Sequence, residues 1–245
     1  MRLRDFKVLT FDCYGTLIDW ESGMIAALRP LTGKVGRSLE RNEILQAHAF
    51  HESSQQVQTP AMRYRDLLAI VFKRLAEQWG VPVSHEECVA YGRSVGDWPA
   101  FADTPAALQY LKRFYRLVIL SNVDNETFGR THRHLQVDFD AIVTAEDVGA
   151  YKPSLRNFDY MLQRLGNGLG GMQVGKGDIL HVAESLFHDH APANQLGLAS
   201  CWIHRRHADE GFGATMTPEE LPRHDFRFTS MEALAEAHRK EAGGG

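Results

Sequence analysis

The stretch that decides the fold runs from residue 7 to residue 17 and reads Lys-Val-Leu-Thr-Phe-Asp-Cys-Tyr-Gly-Thr-Leu. Its first half is apolar and rich in β-branched residues, which is typical of a strand buried in a parallel sheet. Asp12 ends this run, and Gly15 follows where the chain must turn. Ligands bind at the carboxyl ends of strands in open α/β sheets, so Asp12 lies where chemistry is expected. A lone aspartate in this position more often caps a helix, and the other motifs must decide between the two interpretations.

The rest of the chain, which has 245 residues, divides by pattern into a helical stretch and an alternating stretch. Helical patterns without an intervening strand occupy residues 17–31, 38–58, 62–79 and 84–95. Further on, strands are predicted at 117–120, 141–143, 179–183, 201–203 and, as an edge strand, 226–228. Helices are predicted at 105–114, 125–135, 156–165, 187–196 and 231–238. This alternation predicts an α/β fold with a doubly wound parallel sheet. We expect a core domain of residues 1–15 and 100–245 with an inserted helical cap domain at 16–99.

Composition excludes several classes of partner. Lys and Arg total 27 against 31 Asp and Glu, so a formal charge of −4 gives no footprint for nucleic acid or an anionic membrane. Cys13, Cys88 and Cys201 are far apart and odd in number, which favours a reducing compartment over a disulfide framework. No apolar run approaches the roughly 18 residues of a membrane span. The sequence therefore predicts a cytoplasmic protein, with a homodimer through apolar faces of the cap helices left open.

Three more polar clusters follow predicted strands. They are Ser121-Asn122, then Lys152 within Gly-Ala-Tyr-Lys-Pro, and finally Glu184, Ser185 and Asp189 after the strand at 179–183. Taken singly, these are an ordinary turn pair, a solvated surface charge and a helix cap. Because the carboxyl ends of parallel strands meet at one edge of a sheet, together they predict a site around Asp12.

In this order the motifs resemble those of the haloacid dehalogenase superfamily across nearly the whole chain. The resemblance implies that Asp12 is the nucleophile and Lys152 its charge partner. We expect Lys152 to lower the pKa of Asp12 and keep it ionised. Substrate-binding positions implied by the resemblance are Tyr14, Thr16, Ser121, Asn122 and Ser185. Asp189 or Glu184 is then the activator of the hydrolytic water.

Tyr14 decides the subclass. Superfamily phosphatases resemble Asp-x-Asp at this point, where the second acid protonates the leaving alcohol. The run Asp-Cys-Tyr-Gly-Thr at 12–16 is instead similar to that of the type II 2-haloacid dehalogenases. The resemblance implies that Asp12 displaces a group from C2 of a small 2-substituted carboxylic acid and forms an aspartyl ester. Water then releases the 2-hydroxy acid, without a cofactor.

The fourth motif departs from the dehalogenase pattern. It keeps a serine and the later Asp189, but Glu184 stands where phosphatases hold a magnesium-binding acid. If a metal is present, Asp12, Glu184 and Asp189 are the expected ligands. Phe158 stands where the dehalogenases keep a tyrosine. The competing interpretations are a magnesium-dependent phosphatase and a catalytically silent binding protein.

The residue that receives the leaving group is open at this point. Arg41 is the nearest match to the halide-binding arginine, and Trp20 is a candidate wall of the pocket with core packing as the equal alternative. His48 lies on the same predicted helix and can occupy that face instead. A histidine there indicates a leaving group that needs a proton, such as a strained ring nitrogen. We therefore expect either a halide or a nitrogen to depart from C2.

Overall fold

The computed structural model describes residues 1–208, 214–216 and 220–243. Within this part of the chain, one sheet is built from six strands: β1 (Val8–Phe11), β2 (Arg116–Ser121), β3 (Ala141–Thr144), β4 (Ile179–Ala183), β5 (Ala199–Ile203) and β6 (Phe226–Phe228). The strand order is β3-β2-β1-β4-β5-β6, and every pair is parallel. Both the parallel sheet and the edge strand are therefore confirmed. All four residues of β1 are buried, as its unbroken apolar run requires.

The strand order creates a topological switch point beside β1. The chain runs outward from β1 to β2 and β3, then returns to place β4 on the other side of β1. Such a reversal opens a crevice at the carboxyl ends of the central strands. Asp12 follows β1, Ser121 ends β2 and Glu184 follows β4, so the predicted motifs converge at this crevice.

Four helices lie between β1 and β2, and we call them the helical insert. They are α1 (Trp20–Thr32), α2 (Arg41–Gln58), α3 (Tyr64–Gln78) and α4 (His85–Ser94). The predicted capping box of α4 is confirmed: Glu87 N–H donates to Ser84 Oγ at 3.2 Å, and Ser84 N–H donates to Glu87 Oε2 at 2.8 Å. Apolar residues at helical spacing on α3, including Leu68, Val71 and Phe72, are buried in the main core.

The chain leaves the sheet for the insert and returns through two paired segments, which we call the neck. Ile18 and Ala100 form an antiparallel bridge. Asp19 N–H donates to Pro99 O at 2.8 Å, and Phe101 N–H donates to Leu17 O at 3.1 Å. The neck lies close to the predicted boundaries at residues 16 and 99, while the division into two domains stays a prediction.

Among the described residues after the neck there are six α-helices: α5 (Thr104–Leu111), α6 (Asn125–Leu135), α7 (Ala145–Val148), α8 (Leu155–Gly166), α9 (Ala191–Gln195) and α10 (Met231–Gly243). The bounds of α6 match the prediction. The helix predicted at 187–196 is wrong in its first half, because Leu186–His190 forms a π-turn and only α9 is α-helical. His190 N–H donates to Ser185 O at 3.3 Å, five residues back, which widens this turn.

Two apolar clusters cover the faces of the sheet. The larger one joins β1 residues such as Leu9 and Phe11 to the helical insert, so insert and sheet share one continuous core. The smaller one packs Phe158 and Met161 of α8 against Val118 of β2. No helix of the described residues is both long and apolar enough to cross a membrane.

Candidate active site

Asp12 lies at the carboxyl end of β1 with both carboxylate oxygens hydrogen-bonded. Lys152 Nζ donates to Oδ1 at 2.9 Å, and Thr16 Oγ1 donates to Oδ2 at 2.7 Å. The turn that returns Thr16 to Asp12 passes through Gly15 at φ +94°, a backbone conformation that glycine adopts at little cost. Thr16 Oγ1 also accepts the Glu184 N–H at 2.8 Å, so it ties the β1 and β4 loops together. A carboxylate fixed in this way is oriented as a nucleophile requires.

Lys152 is the charged centre of the site and is 1% exposed. Besides Asp12, its Nζ donates to Asp189 Oδ1 at 2.7 Å and to Leu120 O at 2.9 Å. These three acceptors match the three donors of an ammonium. Burial alone would lower the pKa of Lys152, but the two aspartates outweigh it and the net pKa is raised. Lys152 is therefore charged at neutral pH.

Asn122 holds the backbone of Lys152 in place. Its Oδ1 accepts the Lys152 N–H at 2.6 Å, and its Nδ2 donates to Lys152 O at 3.1 Å. The loop after β2 is thereby joined to the segment before α8. Direct substrate binding by Asn122, as predicted from the sequence, would use the second hydrogen of its amide nitrogen, because the first is donated to Lys152 O.

The pKa of Asp12 moves against our expectation. Burial raises it, the charge of Lys152 lowers it, and the nearby Asp189 raises it again, so that the net pKa lies above its ordinary value. The prediction of a net decrease is wrong, although Lys152 acts in the predicted direction. Two carboxylates share one ammonium here, and the second competes with Asp12 for its charge. Asp12 thus ionises at a higher pH than a solvated aspartate.

Asp189 is the carboxylate that stays ionised, because a connected series of polar side chains on the neighbouring strands stabilises its charge. His181 Nε2 donates to Asp189 Oδ1 at 3.0 Å, and Thr10 Oγ1 lies 2.8 Å from His181 Nδ1. Burial raises the pKa of Asp189, but Lys152 and His181 outweigh that effect and hold it well below the ordinary value. Sequence reasoning missed Thr10 and His181. Their signal is a polar residue in the middle of each of two neighbouring buried strands, where they stand side by side.

Two buried oxygen atoms of the site have no hydrogen-bond partner among the residues that the structure describes. They are Ser121 Oγ and Asp189 Oδ2. Buried polar atoms in native proteins are normally satisfied, so such exceptions mark places where a ligand or water completes the bonding. Ser121 was predicted to bind substrate, and its unpaired hydroxyl fits that role.

The phenol of Tyr14 points into the core, where it is not placed to transfer a proton. Its hydroxyl lies 2.6 Å from Thr131 Oγ1 on α6, and its ring packs edge-on against Trp98 at 6.2 Å between centroids. Burial is the main cause that raises the pKa of Tyr14 well above 10. A phenol held in this way is a poor proton donor at neutral pH.

Glu184 lines a cavity of about 200 Å³ together with Gly15, which belongs to the loop after Asp12. Trp20 and Arg41 also line it, which places these two predicted pocket residues together. Arg41 Nη2 donates to Glu21 Oε2 at 3.1 Å, and Arg206 Nη1 donates to the same oxygen at 2.5 Å. Burial, with a smaller effect of Asp12, raises the pKa of Glu184 to about 8. Glu184 thus carries a proton at neutral pH and is poorly suited as a base. Sequence reasoning missed Glu21 and Arg206, which nothing near the motifs signals.

The remaining predicted residues make their contacts with groups other than Asp12. Ser185 begins the π-turn, and its Oγ lies 3.1 Å from His188 Nδ1. Phe158 is buried and packs edge-on against His181 at 5.1 Å between centroids. His48 is fully buried on α2, with Nδ1 3.4 Å from Glu52 Oε2 and its ring 6.1 Å from that of Tyr91. Tyr64 donates to Glu52 Oε1 at 2.8 Å, and His48 therefore belongs to a polar cluster of the insert.

The three acids named as metal ligands do not form a cation site. The ammonium of Lys152 pairs with both Asp12 and Asp189 and already supplies a positive charge between them. Over residues 1–208, 214–216 and 220–243, no group of three His, Cys, Asp or Glu side chains converges as a metal requires. A neutral Glu184 is also a weak oxygen ligand for a hard cation. The donor set therefore does not fit a resident metal.

Comparisons with known proteins agree with this geometry. A family model described as haloacid dehalogenase-like hydrolase matches residues 6–186. The (S)-2-haloacid dehalogenase of Pseudomonas sp. (strain YL) is 27% identical over 243 residues, which cover 97% of this chain and 96% of that protein. The pyrimidine 5'-nucleotidase YjjG of Escherichia coli (strain K12) is 34% identical over 85 residues, 34% of this chain and 35% of that protein.

Solved structures show the same fold. The L-2-haloacid dehalogenase from Xanthobacter autotrophicus with chloropropionic acid covalently bound has a TM-score of 0.77 at 17% identity. The match covers 96% of this chain and 98% of that one. At this identity the likeness concerns the fold alone, whereas the family model spans well over half of the sequence. The protein is therefore a hydrolase that belongs to the haloacid dehalogenase-like family.

Proposed function

We propose that this hydrolase displaces a leaving group from C2 of a small 2-substituted carboxylic acid, with Asp12 as the nucleophile. An Asp12 oxygen bonds to C2 with inversion, and the leaving group departs with the electrons of its own bond. Water then attacks the carboxyl carbon of Asp12 and releases the 2-hydroxy acid. The near full-length match to an (S)-2-haloacid dehalogenase supports this substrate class. The chloropropionic acid bound covalently to the Xanthobacter protein supports an intermediate of this kind.

The environment of Tyr14 is the observation that carries the proposal. Phosphate ester hydrolysis requires a proton for the leaving alcohol, which an acid two residues after the nucleophile would supply. Here that residue is a phenol that is bonded to Thr131 and whose pKa is raised well above 10. A halide departs as a stable anion and needs no proton. Attack of Asp12 on carbon is therefore the reaction that these residues favour.

Different residues of the crevice orient the nucleophile, bind the substrate and position Lys152. Lys152 and Thr16 orient Asp12 by one hydrogen bond to each of its carboxylate oxygens. In the proposal, Ser121 Oγ donates to the carboxylate of the substrate, which satisfies a hydroxyl that is otherwise unpaired among the described residues. Asn122 contributes by positioning Lys152.

Two leaving groups remain in the proposal, and they differ in their need for a proton. A halide requires a positive environment, and Arg41 at the cavity beside Glu184 supplies one. A strained ring nitrogen requires a proton, and Glu184 with a pKa of about 8 carries one at neutral pH. His48 stays a weaker candidate donor, because Glu52 and Tyr91 surround it.

We propose further that the helical insert serves as a cap that excludes water during the displacement. The paired neck supports a hinge at this place, because only two chain segments connect insert and sheet. The homodimer also stays a prediction. Phe50 and Val57 on α2 are 66% and 80% exposed, and they are the apolar residues of the insert that a dimer contact would cover.

A single turnover in heavy-oxygen water tests the ester route. The enzyme is used in excess over 2-chloropropanoate and is then digested with a protease. The mass of the peptide that contains Asp12 is measured by mass spectrometry. Label on Asp12 is expected, because the attacking water oxygen enters its carboxylate. Label found only in the hydroxy acid would contradict the proposal, since water would then have attacked C2 directly. Asp12→Asn is the matched control and should show neither label nor turnover.

A magnesium-dependent phosphatase is the second candidate, and the partial match to a pyrimidine 5'-nucleotidase, over about a third of the chain, is the observation in its favour. The protonated Glu184 counts against it, because a neutral carboxyl group is a weak ligand for Mg²⁺. Phosphate release from 4-nitrophenyl phosphate, with and without Mg²⁺, separates the two activities. Turnover that depends on Mg²⁺ would favour the phosphatase. If neither activity is found and Asp12→Asn leaves the cellular role intact, the protein is a silent binding member.

A further inference from the structure

Arg205 is a side chain that the four motifs do not single out, and it holds the turn that follows the nucleophile. It lies after β5, and its guanidinium donates to Thr16 O from two nitrogens, Nε at 3.1 Å and Nη2 at 2.9 Å. Thr16 is fully buried, and its hydroxyl donates to Asp12 Oδ2 at 2.7 Å. Two contacts in series therefore connect the guanidinium to the nucleophile.

The other donors of Arg205 bind the start of α5 and the residue before it. Nη1 donates to both carboxylate oxygens of Asp103, at 2.8 and 3.0 Å, and Nη2 donates to Thr104 Oγ1 at 3.2 Å. Together with the two bonds to Thr16 O, these contacts match the five N–H donors of a guanidinium. Arg205 lines the same cavity as Glu184, but its donors are already engaged within the protein. A supporting role therefore fits Arg205 better than substrate binding.

The neck packs directly against the guanidinium. Arg205 Cζ lies 4.0 Å from the centroid of the Phe101 ring, and Phe101 N–H donates to Leu17 O, next to Thr16 in the chain. Stacking on an aromatic face fixes the plane of a guanidinium, and the pairing with both oxygens of a carboxylate fixes its direction. The side chain is only 9% exposed. Arg205 is thus a rigid support for the Thr16 carbonyl.

The turn needs such a support because its own backbone is permissive. The chain reaches Thr16 through Gly15 at φ +94°, and glycine restricts the neighbouring peptide less than any other residue. The Thr16 hydroxyl must donate to Asp12 while it accepts the Glu184 N–H at 2.8 Å. Both contacts depend on the orientation of the Thr16 peptide, and the two charge-assisted bonds from Arg205 hold its carbonyl end.

We propose that Arg205 is a positioning residue for the attack on C2 and acts through Thr16, an inference that rests on the proposed function. Arg205 fixes the Thr16 carbonyl, and the Thr16 hydroxyl in turn fixes the carboxylate of Asp12. A displacement of about 1 Å at a reacting group can slow a reaction by about 100-fold. Loss of Arg205 should therefore slow the displacement and leave substrate binding unchanged.

A double-mutant cycle with Thr16→Val tests this route, with 2-chloropropanoate as the substrate. Chloride release is followed in a single turnover, and KM is measured in the steady state. Arg205→Met should slow chloride release by roughly 10- to 100-fold with little change in KM. In the Thr16→Val background the hydroxyl is already absent, so the same substitution should slow chloride release by less than about threefold, because residues in one series of contacts do not have additive effects.

Arg164→Met is the matched control. Arg164 Nη1 donates to Ile142 O at 2.7 Å, so this substitution also removes a bond between a guanidinium and a carbonyl oxygen, but at an exposed site on α8. Chloride release should stay at the wild-type rate. Thermal unfolding checks that Arg205→Met folds. If it does not, Arg205→Lys replaces it in the cycle, since lysine keeps the charge but cannot donate from two fixed nitrogens.

The outcomes separate this inference from the proposed function. Equal slowing by Arg205→Met with and without the Thr16 hydroxyl overturns the inference, because Arg205 would then act by another route. An unchanged rate of chloride release also overturns it, and a raised KM at that rate would identify Arg205 as a substrate-binding residue instead. A wild type that releases no chloride and forms no ester on Asp12 contradicts the proposed function itself, and this inference with it.

Discussion

Lys152→Met measures what the buried ammonium contributes to stability and to turnover. The substitution keeps most of the length of the side chain but removes three hydrogen bonds, to Asp12, Asp189 and Leu120 O, at 2.9, 2.7 and 2.9 Å. It leaves two buried carboxylates near each other without a cation. Removal of one partner of a buried ion pair costs roughly 3–5 kcal/mol, and we expect this decrease in the free energy of unfolding near neutral pH. Turnover should fall by at least about 100-fold, as expected when a charged donor to the reacting group is lost.

The pH dependence of that cost identifies its cause. In the wild type, the lowered pKa of Asp189 gives stability that is present above its unfolded pKa of about 3.9 and is lost as the pH falls. In Lys152→Met, burial and mutual repulsion raise the pKa of both acids above that value. The folded variant therefore takes up protons, and its deficit relative to the wild type should shrink from about pH 7.5 to about pH 5.

Urea unfolding at several pH values provides the measurement. Lys73→Met is the control, because Lys73 is exposed and lies 3.8 Å from Glu77 in a surface pair worth at most about 1 kcal/mol. A deficit for Lys152→Met that is the same at both pH values would refute the reasoning. The loss would then come from packing and not from uncompensated charge.

Three further substitutions test single contacts. Tyr14→Phe removes the hydrogen bond to Thr131 and should lower the free energy of unfolding in urea by about 1 kcal/mol. Turnover of the haloacid should stay the same. A tenfold slower turnover would show that the phenol takes part in the reaction. Ser121→Ala should raise KM for 2-chloropropanoate about tenfold with little loss of stability, because its hydroxyl has no partner among the described residues, and an unchanged KM would remove Ser121 from the binding site. With a four-membered cyclic imino acid as substrate, turnover should fall as the pH rises through about 8, where Glu184 loses its proton. Glu184→Gln should then no longer turn over this substrate but should still turn over the haloacid. Equal losses of turnover with both substrates would contradict a proton-donating role for Glu184.

The sheet and the converging motifs were predictable because they depend on local pattern and on a general rule. Apolar runs such as that of β4 end in polar residues, and parallel strands gather those ends at one edge. From this alone, the sequence predicts that Asp12 and Ser121 approach each other. The contact between Lys152 and Asp12 came from the family resemblance, and the structure places Nζ 2.9 Å from Oδ1.

Other features depend on a balance between opposing interactions, which no sequence pattern encodes. The sign of the pKa shift of Asp12 follows from burial against one shared ammonium, and the position of Asp189 decides how that charge is divided. The π-turn follows from a hydrogen bond across five residues, which helical periodicity does not distinguish from an ordinary turn. His181 is predicted as a core residue by its strand, and only the register with Thr10 shows its partner.

The neck gives the chain a modular character. Asp19 and Phe101 are each hydrogen-bonded across the two strands of the neck, so the points where the insert departs and returns are held together whatever lies between them. Because the entropy of loop closure grows only slowly with length, segments of very different size can be exchanged at this junction. Lys152 and Thr16, which hold Asp12, both lie outside the insert. Substrate preference can therefore evolve in the insert while the reacting groups remain unaltered.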